Sequence, residues 1–254
     1  MATPKAEPKI YTGIGLDFET GSLDCTSGAC TQLAMQAVRL DTWEQTDRYV
    51  QYIYPYEKQD IGGARRKVLR NRHEQEERTL MDYQPEALNY SGISMEQLER
   101  QGADLKQVGE SVIAFARKNT LSKGHQGKPI LIGQNIPFDI GFLQQLMNYT
   151  GQLKEFEKVF AGTKDFYGNF QPHYIDTIFI ARMALAHDPS VTSYKLELIA
   201  ERLGIELDDA HDADADVTAT LNIGRVCSGR MRNMESEGNI LIQKPEKSRQ
   251  YFKI

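Results

Sequence analysis

Residues 10–20 read IYTGIGLDFET. Ile14 and Leu16 alternate with glycines and lead into two acids, the pattern of a strand that runs into a turn. A strand repeats every two residues, so Asp17 and Glu19 stand on the same face of the sheet it joins. Two carboxylates side by side repel unless a cation lies between them. Hard oxygen ligands of this kind suit Mg²⁺ or Mn²⁺. Taken alone, the pair reads equally well as two solvated acids at a strand end.

Downstream of this strand, alternation predicts a second over Gln32–Leu40, with Leu33, Met35, Ala37 and Arg39 on one side, and a third over Arg48–Tyr56. Short connections make the three an antiparallel meander. The chain then changes character. Ser94 with Gln97 and Asp104 with Gln107 are capping-box starts, and Leu105, Val108, Val112 and Phe115 recur at helical spacing, so helices are expected across 94–119. Pro129–Gly133 is a short apolar run suited to a buried strand. Pro137 then opens a helix whose face is Phe138, Phe142, Leu143, Leu146 and Met147. Tyr174–Thr177 followed by IFIARMAL repeats the strand-to-helix step. Leu196, Ile199 and Leu203 mark another helix closed by Gly204, and a last one is expected over 212–232. The fold class is α/β, a mixed sheet flanked by helices.

The 254 residues are 40% apolar and 26% charged, ordinary for a globular chain, and divide into a loose tail at 1–9, one domain at 10–230 and a second tail at 231–254. No apolar run approaches the roughly 20 residues that cross a bilayer. MATPKAEPKI, residues 1–10, lacks the apolar core of a signal peptide. The expected location is the cytoplasm. Cys25, Cys30 and Cys227, odd in number and without a CxxC, read as free thiols and exclude a four-cysteine zinc site. A net charge of −5 has the wrong sign for coating a phosphate backbone, so a nucleic-acid partner would need bound cations or a local basic patch. Such a patch exists in an insertion at about 57–80: Arg65, Arg66, Lys67, Arg70 and Arg72 come without an acid, before Glu74, Glu76 and Glu77. It reads either as a phosphate track or as a solvated segment closed by its own acids.

Two further segments carry acids in chemical contexts. Asp139 in GQNIPFDIGF (133–142) follows a buried strand and sits in the first turn of a helix, where the helix dipole also favours an acid. In AHDADADVTATLNI (210–223), Asp212, Asp214 and Asp216 imitate a calcium loop, but Val217 and Ile223 replace the required glycine and glutamate. An EF-hand is excluded. On a helix beginning near Asp212, positions 212 and 216 share a face while 214 points elsewhere, and His211 stands just before it. Histidine is the side chain best suited to take a proton near neutral pH.

Together DFET, NIPFDIGF and HDADAD resemble the three ordered motifs of the DEDDh family of 3′→5′ exonucleases, the DNA polymerase III epsilon-like and RNase T-like group, over about residues 10–225. ALNYSGIS, YIDT and SYKLELIAERLGI are softer matches. Ser91 and Gln134 depart from the histidines common in that family, and the basic insertion lies outside its usual core. The resemblance implies a ribonuclease H-like sheet. It implies that Asp17, Glu19, Asp139 and Asp216 hold two divalent cations, Mg²⁺ or Mn²⁺, with His211 as general base in hydrolysis of the terminal phosphodiester. The product is a nucleoside 5′-monophosphate. Thr20, Asn135 and Phe138 are expected to hold the last nucleotide, and Asp176 to play a supporting part. The implied partners are nucleic-acid 3′ ends, single-stranded DNA first, and a polymerase or other replication or repair protein. An RNA or oligoribonucleotide substrate, and a non-catalytic nucleic-acid-binding module, stay open as alternatives.

Overall fold

The computed structural model describes residues 11–59, 79–122, 127–207 and 212–233. The N-terminal tail, the basic stretch Arg65–Arg72, His211 and the C-terminal tail lie outside the described residues.

Strands β1 (Thr12–Thr20), β2 (Cys30–Arg39) and β3 (Gln45–Tyr52) form the expected meander. Strands β4 (Ile130–Gly133) and β7 (Tyr174–Asp176) add to the other side of β1 in parallel, giving the order β3-β2-β1-β4-β7. This is the mixed α/β sheet that alternation and the two strand-to-helix steps predict. Strand β3 begins three residues before the expected Arg48 and ends at Tyr52; beyond it Ile53 and Glu57 keep isolated bridges, to Ala103 and Leu80. Its polar composition, QTDRYVQY, carries little alternation to mark an end.

Period two divides the central strand. Ile14, Leu16 and Phe18 face a core shared with α3 (Leu105–Lys118), α4 (Pro137–Tyr149) and α5 (Leu153–Val159). The other face of the sheet, with Ala34, Val38 and Ile132, packs on Ala213, Val217 and Leu221 of α8 (Ala213–Asn233). Both faces of β2 are therefore buried, and Ala34 and Val38 serve the second core while Leu33, Met35 and Ala37 serve the first. Helices α6 (Thr177–Ala184) and α7 (Leu196–Leu203) join α8 through a separate cluster of Ala181, Leu185, Ile199, Ala200, Ile223 and Cys227.

The caps are where the sequence places them. Ser94 accepts from the Gln97 amide at 3.1 Å to start α2 (Met95–Gln101), Asp104 accepts from the amides of Lys106 and Gln107, Pro137 occupies the first turn of α4, and Gly204 ends α7 in the left-handed region at φ 70°. Helix α1 (Pro85–Ser91) has the same marks, Pro85 in its first turn and Gly92 ending it at φ 68°, which the sequence reading left unused; α5 and the hairpin of β5 (Gly162–Lys164) with β6 (Phe170–Pro172) carry no such signal.

Gly15 decides how close α8 comes to β1. A Cβ there would lie 2.8 Å from Val217 Cγ1 and 3.0 Å from Leu221 Cδ1, so a side chain at 15 would force the helix outward. The bare backbone lets it seat.

Candidate active site

Asp17 and Glu19 leave β1 on the same face as Gly15, toward α8, and the seating of that helix brings Asp216 over them. A carboxylate oxygen from each of the three lies within 4.8 Å of the others. Asp139 arrives from the first turn of α4 and is 3% exposed. Strand β1 pairs with β4 only through Gly15, so the Phe18 amide on that side has no strand partner. It donates instead to Asp139 Oδ1 at 3.0 Å, which satisfies a buried N–H and fixes the carboxylate beside the cluster.

Asp212 caps α8, accepting from the amides of Asp214 and Ala215 at 3.1 and 3.3 Å. Its other oxygen accepts from Gln32 Nε2 at 3.0 Å, and Gln32 Oε1 accepts from the Ala213 amide at 3.2 Å, so β2 grips the start of the helix at both ends of one amide. Asp214 turns away from the cluster. It accepts from Gln36 at 3.0 Å and receives the Arg48 guanidinium on both oxygens, tying α8 to β2 and β3. The loop after Thr20 is held from below: Gln145 on α4 donates to the carbonyls of Cys25 and Gly28 at 2.6 and 2.9 Å and accepts from the Tyr56 hydroxyl at 2.7 Å.

Crowded carboxylates resist ionisation. Burial first, then the charges of Asp139, Glu19, Asp216 and Asp212, hold Asp17 well above the ordinary carboxylate range. Glu19 is pushed up to about 7 by burial and by Asp216 and Asp212. Asp139 is pushed up to about 8, chiefly by burial, against the opposing hydrogen bond from Phe18. Burial leads in all three and neighbouring carboxylates add to it; a divalent cation bound among them would favour the ionised forms. The donor set is all carboxylate, which fits a hard cation such as Mg²⁺ or Mn²⁺ and does not fit a thiophilic one.

Of the three residues expected at the substrate, Thr20 and Phe138 are half-buried and Asn135 is exposed. Thr20 ends β1 with its hydroxyl on the Ser22 carbonyl at 2.9 Å. Asn135 sits in the left-handed region at φ 55°, its amide on Asp176 Oδ1 at 3.3 Å. Asp176 also accepts from the Ile178 amide at 2.9 Å as the cap of α6. Phe138 packs on Phe142 with ring centroids 5.0 Å apart, so much of its ring belongs to the core edge. Ser91 folds its hydroxyl back on the carbonyls of Ala87 and Leu88. Sequence reasoning placed Asp212 at the start of the helix without giving it a task, and passed over Gln32, Gln36 and Gln145. The signal available for two of them was a pair of glutamines four apart inside the otherwise apolar strand CTQLAMQAVR.

A family model described as exonuclease, RNase T, matches residues 73–223, a span that includes Asp139 and Asp216 and begins after the DFET strand. No curated protein sequence matches the chain. Among solved structures, Exonuclease I of E. coli in complex with a dT13 oligonucleotide superposes with a TM-score of 0.62 at 18% identity, covering 87% of this chain and 42% of that one. A zinc-bound form of the same enzyme with single-stranded DNA gives 0.60 at 18% identity, covering 88% and 41%. A moderately thermophilic Exonuclease I from Methylocaldum szegediense gives 0.60 at 18%, again covering 88% and 41%. The chain spans about two fifths of the length of these structures, and at this identity the likeness is one of fold.

Proposed function

The chain belongs to the RNase T family of exonucleases, and from that premise we propose that it is a metal-dependent 3′→5′ exonuclease of the DEDDh type, acting on single-stranded DNA and releasing nucleoside 5′-monophosphates. One observation carries the reading. Three carboxylates drawn from β1 and α8, at the two ends of the domain's sequence, converge within 4.8 Å. Asp139, from a third motif, stands buried against the strand that bears two of them.

In this reading Asp17, Glu19, Asp139 and Asp216 hold two divalent cations. When bound, these supply Lewis acidity and offset the charge of the phosphodiester. The chain's own residues do the rest. Asp139, anchored by the Phe18 amide, keeps its oxygens turned on the site. Asp212 holds the start of α8, and therefore Asp216, in register with β1. His211, one residue before that cap, takes the proton of the attacking water as general base. Asn135 and Thr20 line the approach of the terminal nucleotide. Single-stranded DNA as substrate is supported by the Exonuclease I structures solved with oligonucleotides, which share this fold.

The test uses purified protein with 5′-labelled and 3′-labelled single-stranded DNA and RNA of the same sequence, with Mg²⁺ or Mn²⁺ and with excess chelator. Stepwise shortening of the 5′-labelled strand and early release of the 3′ label, abolished by chelator, is the expected result. Release from the 5′ end, or undiminished turnover in chelator, overturns the reading; faster turnover of RNA reassigns the substrate. Cleavage of neither strand leaves the fold with a binding function only.

A further inference from the structure

A cleft of about 580 Å³ runs beside the carboxylates, lined by Tyr90 of α1, Gln134 and Asn135 after β4, Arg182 of α6, and the segment Thr192–Glu197 that leads into α7. Two of its lining residues, Asn135 and Tyr90, relate it to the cluster. The amide of Asn135 bonds Asp176, whose charge reaches Asp139. The Tyr90 hydroxyl is held above its ordinary pKa by burial and then by the charges of Glu197, Asp216 and Glu19. Glu197 therefore lies at the Tyr90 end of the cleft. Tyr90 itself is 65% exposed and presents a ring to the opening.

The opposite wall is cationic and built. Gln134 donates from Nε2 to the Tyr194 carbonyl at 2.7 Å, while its Oε1 lies 2.8 Å from the Thr177 hydroxyl, so one side chain pins the 192–197 segment to the end of β4 and the start of α6. The pinned Tyr194 brings its ring to 5.2 Å from the Arg182 guanidinium carbon, and Phe179 lies at 5.9 Å on the same helix. Stacking covers the face of a guanidinium and leaves its N–H groups directed outward in its plane. Among the described residues Arg182 has no carboxylate within ion-pair distance. Lys195 adds a second exposed cation to the same lining. On a chain of net charge −5, an arginine oriented by aromatic contacts and, among the described residues, in no ion pair offers its N–H groups to an anion.

We propose that this cleft seats the nucleotide on the 5′ side of the terminal one, with Arg182 pairing to its phosphate and Tyr194 acting as the residue that positions Arg182. The inference rests on the exonuclease reading for the polarity of the strand. The ligand is the phosphodiester of a single strand, because a planar fork matches phosphate oxygens. Specificity for length follows. A substrate that ends at the terminal nucleotide never reaches Arg182.

The experiment compares wild type, R182Q and R182K on a 5′-fluorescein dT hexanucleotide and on thymidine 5′-p-nitrophenyl phosphate, which has no second nucleotide. In R182Q the ratio of the hexanucleotide KM to the p-nitrophenyl diester KM is expected to rise about tenfold, the size of a lost charge-assisted hydrogen bond. The salt slope of hexanucleotide binding should fall by about 0.7, one phosphate contact on a single strand. R182K, with the charge and without the fork, should fall between, and Y194A should follow R182K. An unchanged KM ratio in R182Q overturns the proposal, as does an equal loss on both substrates. Should R182Q fail to fold, R182K decides: an intermediate ratio supports the site and a wild-type ratio overturns it. If wild type hydrolyses neither substrate, the exonuclease reading fails separately. Fluorescence anisotropy of the hexanucleotide in Ca²⁺ then tests the cleft alone, with about tenfold weaker binding by R182Q for it and equal binding against it.

Discussion

Asp214 and Asp216 are two residues apart in the first turns of α8, and the helix sends one to β2 and β3 and the other to β1. Asp214→Ala strips the buried Gln36 amide of an acceptor and Arg48 of its partner. Arg48 is largely exposed, so solvent offsets part of the loss. The expected cost is about 1–3 kcal/mol in chemical denaturation. Asp216→Ala removes one of several mutually repelling charges; turnover should vanish while the denaturation midpoint in chelator stays equal or rises. A midpoint that falls as far as that of Asp214→Ala would make Asp216 a structural acid. His211 separates base from ligand. His211→Ala should lower kcat by about 10²–10⁴ with the metal titration midpoint unchanged, and should erase the acid limb of the pH–rate profile. A weakened metal midpoint, rescued by high Mn²⁺, would assign it to the metal instead.

At the scale of elements, the contact of β1 with α8 governs the site. Gly15→Val places methyl groups where Val217 and Leu221 already stand, so overpacking should cost about 1–3 kcal/mol and push α8 outward. Because Asp216 rides on that helix, the Mg²⁺ midpoint measured by calorimetry should shift upward by severalfold; an unshifted midpoint would mean the helix start is held by Gln32 and Asp212 alone. Elements of this kind were legible in the sequence where a local signal exists: alternation in β1, capping boxes at Ser94 and Asp104, and apolar periodicity in α3 and α4. Helices α1 and α5 span seven residues each, and β5 and β6 three each, too short for a period to show. Strand β2 was legible from the alternation of Leu33, Met35 and Ala37, while its second buried face, Ala34 and Val38, was not. The acids of the site were legible because spacing on one element places them. Gln32, Gln36 and Gln145 were not, since each acts on residues more than a hundred positions away.

The molecule as a whole should respond to pH in a direction set by its enclosed acids. Glu19 at about 7 and Asp139 at about 8, against ordinary values of 4.5 and 3.8, keep protons in the folded state that the unfolded chain has already released. Folding therefore takes up protons between about pH 4 and pH 8, and in chelator these groups make stability fall as pH rises through that window. A cation that binds only the folded, ionised cluster reverses the trend. The melting temperature gained from a fixed concentration of Mg²⁺ should be larger at pH 8 than at pH 5.5, and an equal gain at both would detach the metal from these carboxylates. The cluster also has a history within each molecule. The grip of Gln32 on Asp212 joins positions 180 apart in the chain, so the site closes through a contact of very long range. Such contacts form late, after the loop between them has been ordered. A chain emerging from the ribosome would complete its meander and its central helices while still harmless to the nucleic acid around it. It would become a nuclease only when α8 docks.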